Sequence, residues 1–153
     1  MREKLPVRIK LTDKEYELKY QEELICSEET INDDLMAQAG LYAWYAVLSE
    51  MAADEMANRK LDLEVLEGQL FASYKSGADK VTDKGADSQV KQDESYITAV
   101  VKLNEAKKYV GILKGIKEAF SHRKDMLWSL AANVRAQSDS HVLLKKQEAK
   151  EKI

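Results

Sequence analysis

Apolar residues return at alternating steps of three and four along the second half of the chain. Ala106, Tyr109, Leu113, Ile116, Phe120, Leu127, Leu130 and Val134 fall on one row, with Arg123 in its one polar slot. A 3.5-residue period held over four heptads predicts a long helix with a seam for another helix. One residue further on, a second row reads Lys107, Val110, Lys114, Lys117, Ser121, Lys124, Trp128, Ala131 and Arg135. One side of the helix is therefore apolar, and the neighbouring side carries positive charge and an indole.

The first half of the chain offers a matching row. Leu41, Trp44, Tyr45, Leu48, Met51, Ala52 and Met56 begin it, and Leu63, Leu66, Leu70 and Tyr74 continue it, with Arg59 as the interruption. Thr30 suits an N-cap, and Asp33 three residues later can reach back as in a capping box. The pattern predicts a helix over about 31–76 and a second over about 94–137. Between them, 77–93 holds Gly77, Gly85 and a mixture of Lys and Asp without an apolar period, which reads as a loop. Two helices of similar length across such a loop predict an antiparallel, coiled-coil-like helical hairpin, so the fold class is mainly α.

The ends read differently. Val7, Ile9 and Leu11 alternate with polar residues, as do Tyr16, Leu18 and Tyr20, and Thr12 to Glu15 suit a turn. A short β-hairpin fits residues 1–26, and a helix over Glu15 to Leu24 is the alternative. Residues 139–153 are polar and basic and read as a frayed helix or tail. The chain thus divides into an N-terminal arm or β-hairpin (1–26), a helical-hairpin domain (27–138) and a basic C-terminal tail (139–153).

Charge sharpens this picture. The 153 residues are 33% charged with a net charge of −3. Residues 1–60 hold 8 Lys and Arg against 13 Asp and Glu, net −5, and 61–100 hold 4 against 8, net −4. Residues 101–153 hold 12 against 6, net +6. An acidic first half and a basic second half point to self-complementary packing or to a polyanion site on the second half. No apolar run is long enough for a membrane span, and the first ten residues lack a signal core, so a cytoplasmic, non-membrane protein is expected. The lone Cys26 excludes an internal disulfide. Two seams cannot cover so much apolar surface, which predicts a homo-oligomer.

Catalytic chemistry is not visible. His122 and His141 are far apart, no His or Cys pair has metal spacing, and no Gly-rich phosphate loop occurs, so no enzyme activity, metal or cofactor is expected. Arg59 and Arg123 on the seams read as satisfied ion pairs, with Glu55 a candidate partner, or as phosphate contacts. The Lys107–Arg135 row combines cations for phosphates with an aromatic face for bases. Lys107, Lys114, Lys117, Lys124, Trp128 and Arg135 are therefore candidate contacts for single-stranded nucleic acid. The same row also suits a solvated coiled-coil flank.

The segments "LYAWYAVLSEMAADEMANRK" (Leu41 to Lys60), "SYKSG" (Ser73 to Gly77) and "YVGILKGIKEAFSHRKDMLWSL" (Tyr109 to Leu130) resemble the UvsY-type recombination mediators of T-even and related phages. The resemblance spans roughly Gln21 to Arg135 and rests on the Tyr109–Gly111–Ile112–Leu113 cluster and the matching loop position. It implies a homo-oligomeric, ring-shaped binder of single-stranded DNA in the cytoplasm of an infected bacterium. Such a protein loads a RecA-like recombinase onto strands covered by single-strand-binding protein, without catalysis. The oligomer seams would be Trp44, Leu48, Leu63, Leu66 and Leu70 on the first helix, and Tyr109, Leu113, Ile116, Phe120, Arg123 and Leu127 on the second. The family's basic pair late in the first helix falls here on Gln69 and Phe71, counting back from Ser76 and Gly77. Any DNA contact has then moved to the Lys107–Arg135 row, with Lys75 near the loop. The alternative from another class is a coiled-coil scaffold or assembly chaperone that binds protein helices and ignores DNA.

Overall fold

The computed structural model describes residues 6–77 and 80–151. Residues 1–5 of the arm, 78–79 of the expected loop and 152–153 of the basic tail lie outside the described residues. The elements in order are β1 (Val7–Leu11), β2 (Lys14–Leu18), α1 (Tyr20–Glu23), α2 (Ile31–Lys75), α3 (Asp83–Gln92) and α4 (Glu94–Glu151). No described helix is long and apolar enough to cross a membrane. The chain forms two compact units. The first comprises Met1–Pro6, Lys19–Ala46 and Gly115–Ile153, and the second comprises Val7–Leu18 and Val47–Lys114.

In the first unit, the opening turns of α2 lie antiparallel to the later turns of α4. Asp34 faces Arg123 and Gln38 faces Phe120, so one chain direction rises as the other falls. The core is the apolar row of the sequence. Ile116, Phe120 and Leu127 of α4 are buried together with Ile31 and Tyr45 of α2. Tyr45 and Phe120 stack at 4.8 Å between ring centroids, 19° from parallel, which adds a favourable aromatic contact to the area buried. The Tyr45 hydroxyl donates to Glu23 Oε2 at 2.6 Å and so ties α1 to α2.

The second unit carries the hairpin. Leu11 pairs with Lys14, Ile9 with Tyr16 and Val7 with Leu18. Strand alternation sends Ile9, Leu11 and Leu18 to the buried face, while Arg8, Lys10, Glu15 and Glu17 stay exposed. Thr12 (φ 44°) and Asp13 (φ 63°) form the two-residue turn, both left-handed, as the twist of a tight hairpin requires. Leu48 and Ala52 of α2 and Leu103, Ala106, Tyr109 and Leu113 of α4 are buried in this unit. Leu63, Leu66 and Leu70 are only half-buried.

Three expectations need correction. The segment 77–93 is not wholly loop, because α3 occupies Asp83–Gln92. Thr82 caps it by accepting from the Gly85 amide at 3.1 Å, and only Ala86 and Val90 are buried. A Cβ on Gly85 would sit 3.1 Å from Val81 Cγ1 and 3.2 Å from Thr82 Oγ1, so the first turn is closed too tightly for a side chain to enter freely. The helix expected to end near 137 instead runs to Glu151. No Gly or Pro occurs between Ile116 and Glu151, and Ala, Leu, Lys, Glu and Gln all propagate helix well. Trp44 lies outside the α2 seam, half-exposed, and its neighbour Tyr45 takes the buried position at 1% exposure. One residue turns a helix by about 100°, so only one of two adjacent aromatics can face the partner.

Candidate nucleic-acid interface

Within the first unit, the side of α4 next to the seam carries Lys117, Lys124, Trp128 and Arg135. Each follows a buried seam residue by one position: Ile116, Arg123, Leu127 and Val134, the last half-buried. Burying the seam therefore fixes where the cations point. Trp128 is the unusual member. It is 68% exposed although indole is among the most apolar surfaces a chain can offer.

Two grooves flank the indole. One, of about 460 Å³, is lined by Leu35, Ala39 and Tyr42 of α2 and by Lys124, Leu127 and Trp128 of α4. The other, of about 360 Å³, is lined by Ile31, Asn32 and Leu35 of α2 and by Ala131, Val134 and Arg135 of α4, again with Trp128. Leu35 and Trp128 line both and form the ridge between them. Lys124 lines the first groove, with Ser121 beyond it on α4, and Arg135 lines the second.

One lining residue of the first groove, Gln38, belongs to a buried polar cluster. Gln38 donates to the Phe120 carbonyl at 2.7 Å and accepts from Arg123 Nη1 at 2.7 Å. Arg123 Nη2 donates to Asp34 Oδ1 at 2.6 Å. Arg123 is 2% exposed, so its charge is spent inside the unit and does not reach an external phosphate. Asp34, not Glu55, is its partner. Glu55 instead pairs with Arg59 at 2.8 Å, one turn along the same helix in the second unit. Asp34 also accepts from the Thr30 hydroxyl at 2.6 Å, whereas the Thr30 amide, which a capping box would give to Asp33, donates to Ser27 Oγ at 3.3 Å.

The other expected cations divide. Lys124 is 3.8 Å from Asp125, and both side chains are mostly exposed, a pair that water and salt screen readily. The Arg135 Nε donates to the Ala131 carbonyl at 3.3 Å, and the residue is exposed. Lys107 and Lys114 belong to the second unit and are exposed there. Lys75 is not grouped with them. Its ammonium is 2.7 Å from Asp83 and donates to the Val81 carbonyl at 3.0 Å, which ties the end of α2 to the start of α3.

A cleft of about 700 Å³ lies in the second unit between Arg59, Asp62, Leu66, Asp93, Thr98 and Lys102. A smaller one of about 250 Å³ includes Lys10, Asp13, Glu55, Arg59, Lys102 and Glu105. Cations and carboxylates alternate in both, so neither presents a field of one sign. Among the described residues no group of three His, Cys, Asp or Glu is placed to hold a metal ion. Tyr109 is buried beside Glu105, to which its hydroxyl donates at 2.8 Å, and burial followed by that carboxylate pushes its pKa up. Such a phenol is a structural donor, not a proton carrier near neutrality.

Sequence reading missed Leu35, Gln38, Ala39 and Tyr42, the α2 wall of the grooves. They follow one another at steps of three, one and three beside the seam, a signal that acquires meaning only once the opposing helix is known. No protein-family profile, curated protein or solved structure matches the chain.

Proposed function

We propose that the protein is a non-enzymatic single-stranded-DNA-binding protein that acts as a phage recombination mediator. In this role it would hold a strand on the basic, aromatic side of α4. It would also help a RecA-like recombinase onto strands covered by single-strand-binding protein, in the cytoplasm of the host cell. The observation that carries the binding half is Trp128, exposed between two mainly apolar grooves whose linings include Lys124 in one and Arg135 in the other. Cations attract the phosphates of any sequence, and an aromatic ring stacks on any base, so the pairing favours sequence-tolerant binding. The mediator half rests on the resemblance of the Tyr109 to Leu130 segment to that family.

The test is fluorescence anisotropy of a labelled single-stranded oligonucleotide at low and high salt. Binding should weaken steeply between about 50 and 200 mM salt, because released counterions drive it. Charge reversal by Lys117→Glu with Lys124→Glu should abolish it while the circular-dichroism spectrum stays helical. Unchanged affinity in that double variant would remove α4 from the interface.

A second reading is favoured by a different observation. Leu63, Leu66 and Leu70 are half-buried, and Leu61 (59%) and Val65 (53%) are exposed on the same stretch of α2. Apolar surface of that extent suits association with further copies of the chain or with helices of another protein, as a scaffold would use it. Sedimentation at micromolar concentration separates the cases. A DNA-binding oligomer supports the mediator, and an oligomer that ignores DNA supports the scaffold.

A further inference from the structure

We propose that the two grooves beside Trp128 are slots for unpaired nucleobases, so that the indole stands between two successive bases of a single strand. The inference rests on the DNA-binding reading above and specifies what the site takes: bases freed from pairing, with the backbone running from Lys124 to Arg135.

Two features converge on it. The slots share Leu35 and Trp128 as a common wall, so whatever fills them meets the indole from both flanks. Their linings are mainly apolar, as the faces of bases require, and each includes one exposed cation, Lys124 in the first and Arg135 in the second, as phosphates require.

The slots are also built in advance of any ligand. Gln38, which lines the first, is fixed by hydrogen bonds to the Phe120 carbonyl and to Arg123, and Leu127 beside it has 0% exposure. Little ordering is then left to be done on binding. A duplex cannot use such a site without losing both stacking and pairing, so discrimination against double strands follows from the shape alone.

The experiment uses the full chain and three labelled probes: a thymidine oligonucleotide, an abasic strand of equal length with the same phosphates, and the corresponding duplex. The wild type should bind the abasic strand and the duplex roughly tenfold or more weakly than the thymidine strand. Trp128→Ala should lose the same factor on the thymidine strand and nothing further on the abasic one, whereas Trp128→Phe should retain most of the affinity. Equal binding of abasic and thymidine strands by the wild type would overturn the base slots and leave a purely electrostatic DNA binder standing. Absence of binding to every strand at low salt would overturn the DNA-binding reading and this inference with it. The abasic comparison needs no substitution, so it decides the matter even if a Trp128 variant were to misfold.

Discussion

Arg123 of α4 and Asp34 of α2 form an ion pair at 2.6 Å in which the guanidinium is 2% exposed. The side chain of Asp34 retains 16% exposure, so the two halves of the pair are not equally sheltered. Asp34→Ala leaves a buried cation without its counter-charge and should cost about 3–5 kcal/mol. Arg123→Met leaves a carboxylate that can turn to water, a Gln38 oxygen short of a donor, and the Asp34 and Ile25 carbonyls without their long bonds of 3.4 Å, so its cost should be smaller, about 1–3 kcal/mol. Urea unfolding of the two variants measures the difference, and equal losses would mean that the environment does not distinguish the partners.

The hairpin turn holds one residue poorly suited to it. Thr12 has φ 44°, a conformation that a β-branched side chain disfavours, and Asp13 has φ 63°. Replacement by Thr12→Asn with Asp13→Gly should raise stability by roughly 1 kcal/mol, because that pair occupies a type I′ turn readily. Thermal melts should show the increase with no change in helix content. A decrease would mean that the native pair makes contacts worth more than the relief of strain.

Acid should loosen the start of α4. Asp93 accepts from the Ser95 amide at 2.9 Å, from the Ser95 hydroxyl, and from the Tyr74 hydroxyl at 2.8 Å. The Ser95 bonds first, and the Tyr74 bond after them, hold its pKa below the ordinary aspartate value of 3.8. The folded state therefore favours the ionised form. Its contribution is fully present above the unfolded value and is lost as pH falls through the folded one. Melting temperatures recorded from about pH 5 down to pH 2 should fall less for Asp93→Asn than for the wild type.

Alkali should act on the other unit. Burial, and then the Glu23 carboxylate, hold the Tyr45 hydroxyl well above its usual value of 10.0. That contribution is complete below the unfolded value and disappears as pH rises toward the folded one. Tyr45→Phe should flatten the decline in stability above about pH 10. It should also cost about 1 kcal/mol at neutrality, where the hydrogen bond to Glu23 is lost.

The cations can be sorted by salt dependence. Lys124→Ala and Arg135→Ala should each lower the slope of log affinity against log salt by about one. Lys75→Ala should leave that slope alone and instead lower the melting temperature, because this ammonium holds Asp83 and the Val81 carbonyl at the start of α3. A changed slope in the Lys75 variant would return that residue to the DNA interface.

The readable part of the fold was the part with a long period. The row from Ala106 to Leu127 is continuous enough that the seam of α4 stands out, Arg123 included, and every member from Ala106 to Leu127 is buried. Strict alternation marked the hairpin in the same way. What escaped notice was short or relational. The ten residues of α3 bury only Ala86 and Val90, too few to establish a period. Choosing Tyr45 over Trp44 required knowing the rotation of α2 to within one residue. Pairing Arg123 with Asp34 joins positions 89 apart, which no local pattern connects. The grooves beside Trp128 share that difficulty, since one wall was evident on α4 and the other belongs to α2.

Rows of leucine, isoleucine and phenylalanine are nearly interchangeable, so two greasy helices can slide by a heptad and still mate. Arg123 removes that freedom. Displaced by seven residues, the guanidinium would leave Asp34 and Gln38 and face apolar side chains, while Ile116 or Leu130 would be set against the stranded carboxylate. One charged residue among hydrocarbon thereby selects a single alignment by making the alternatives costly. The walls beside Trp128, drawn from both helices, meet only in that alignment.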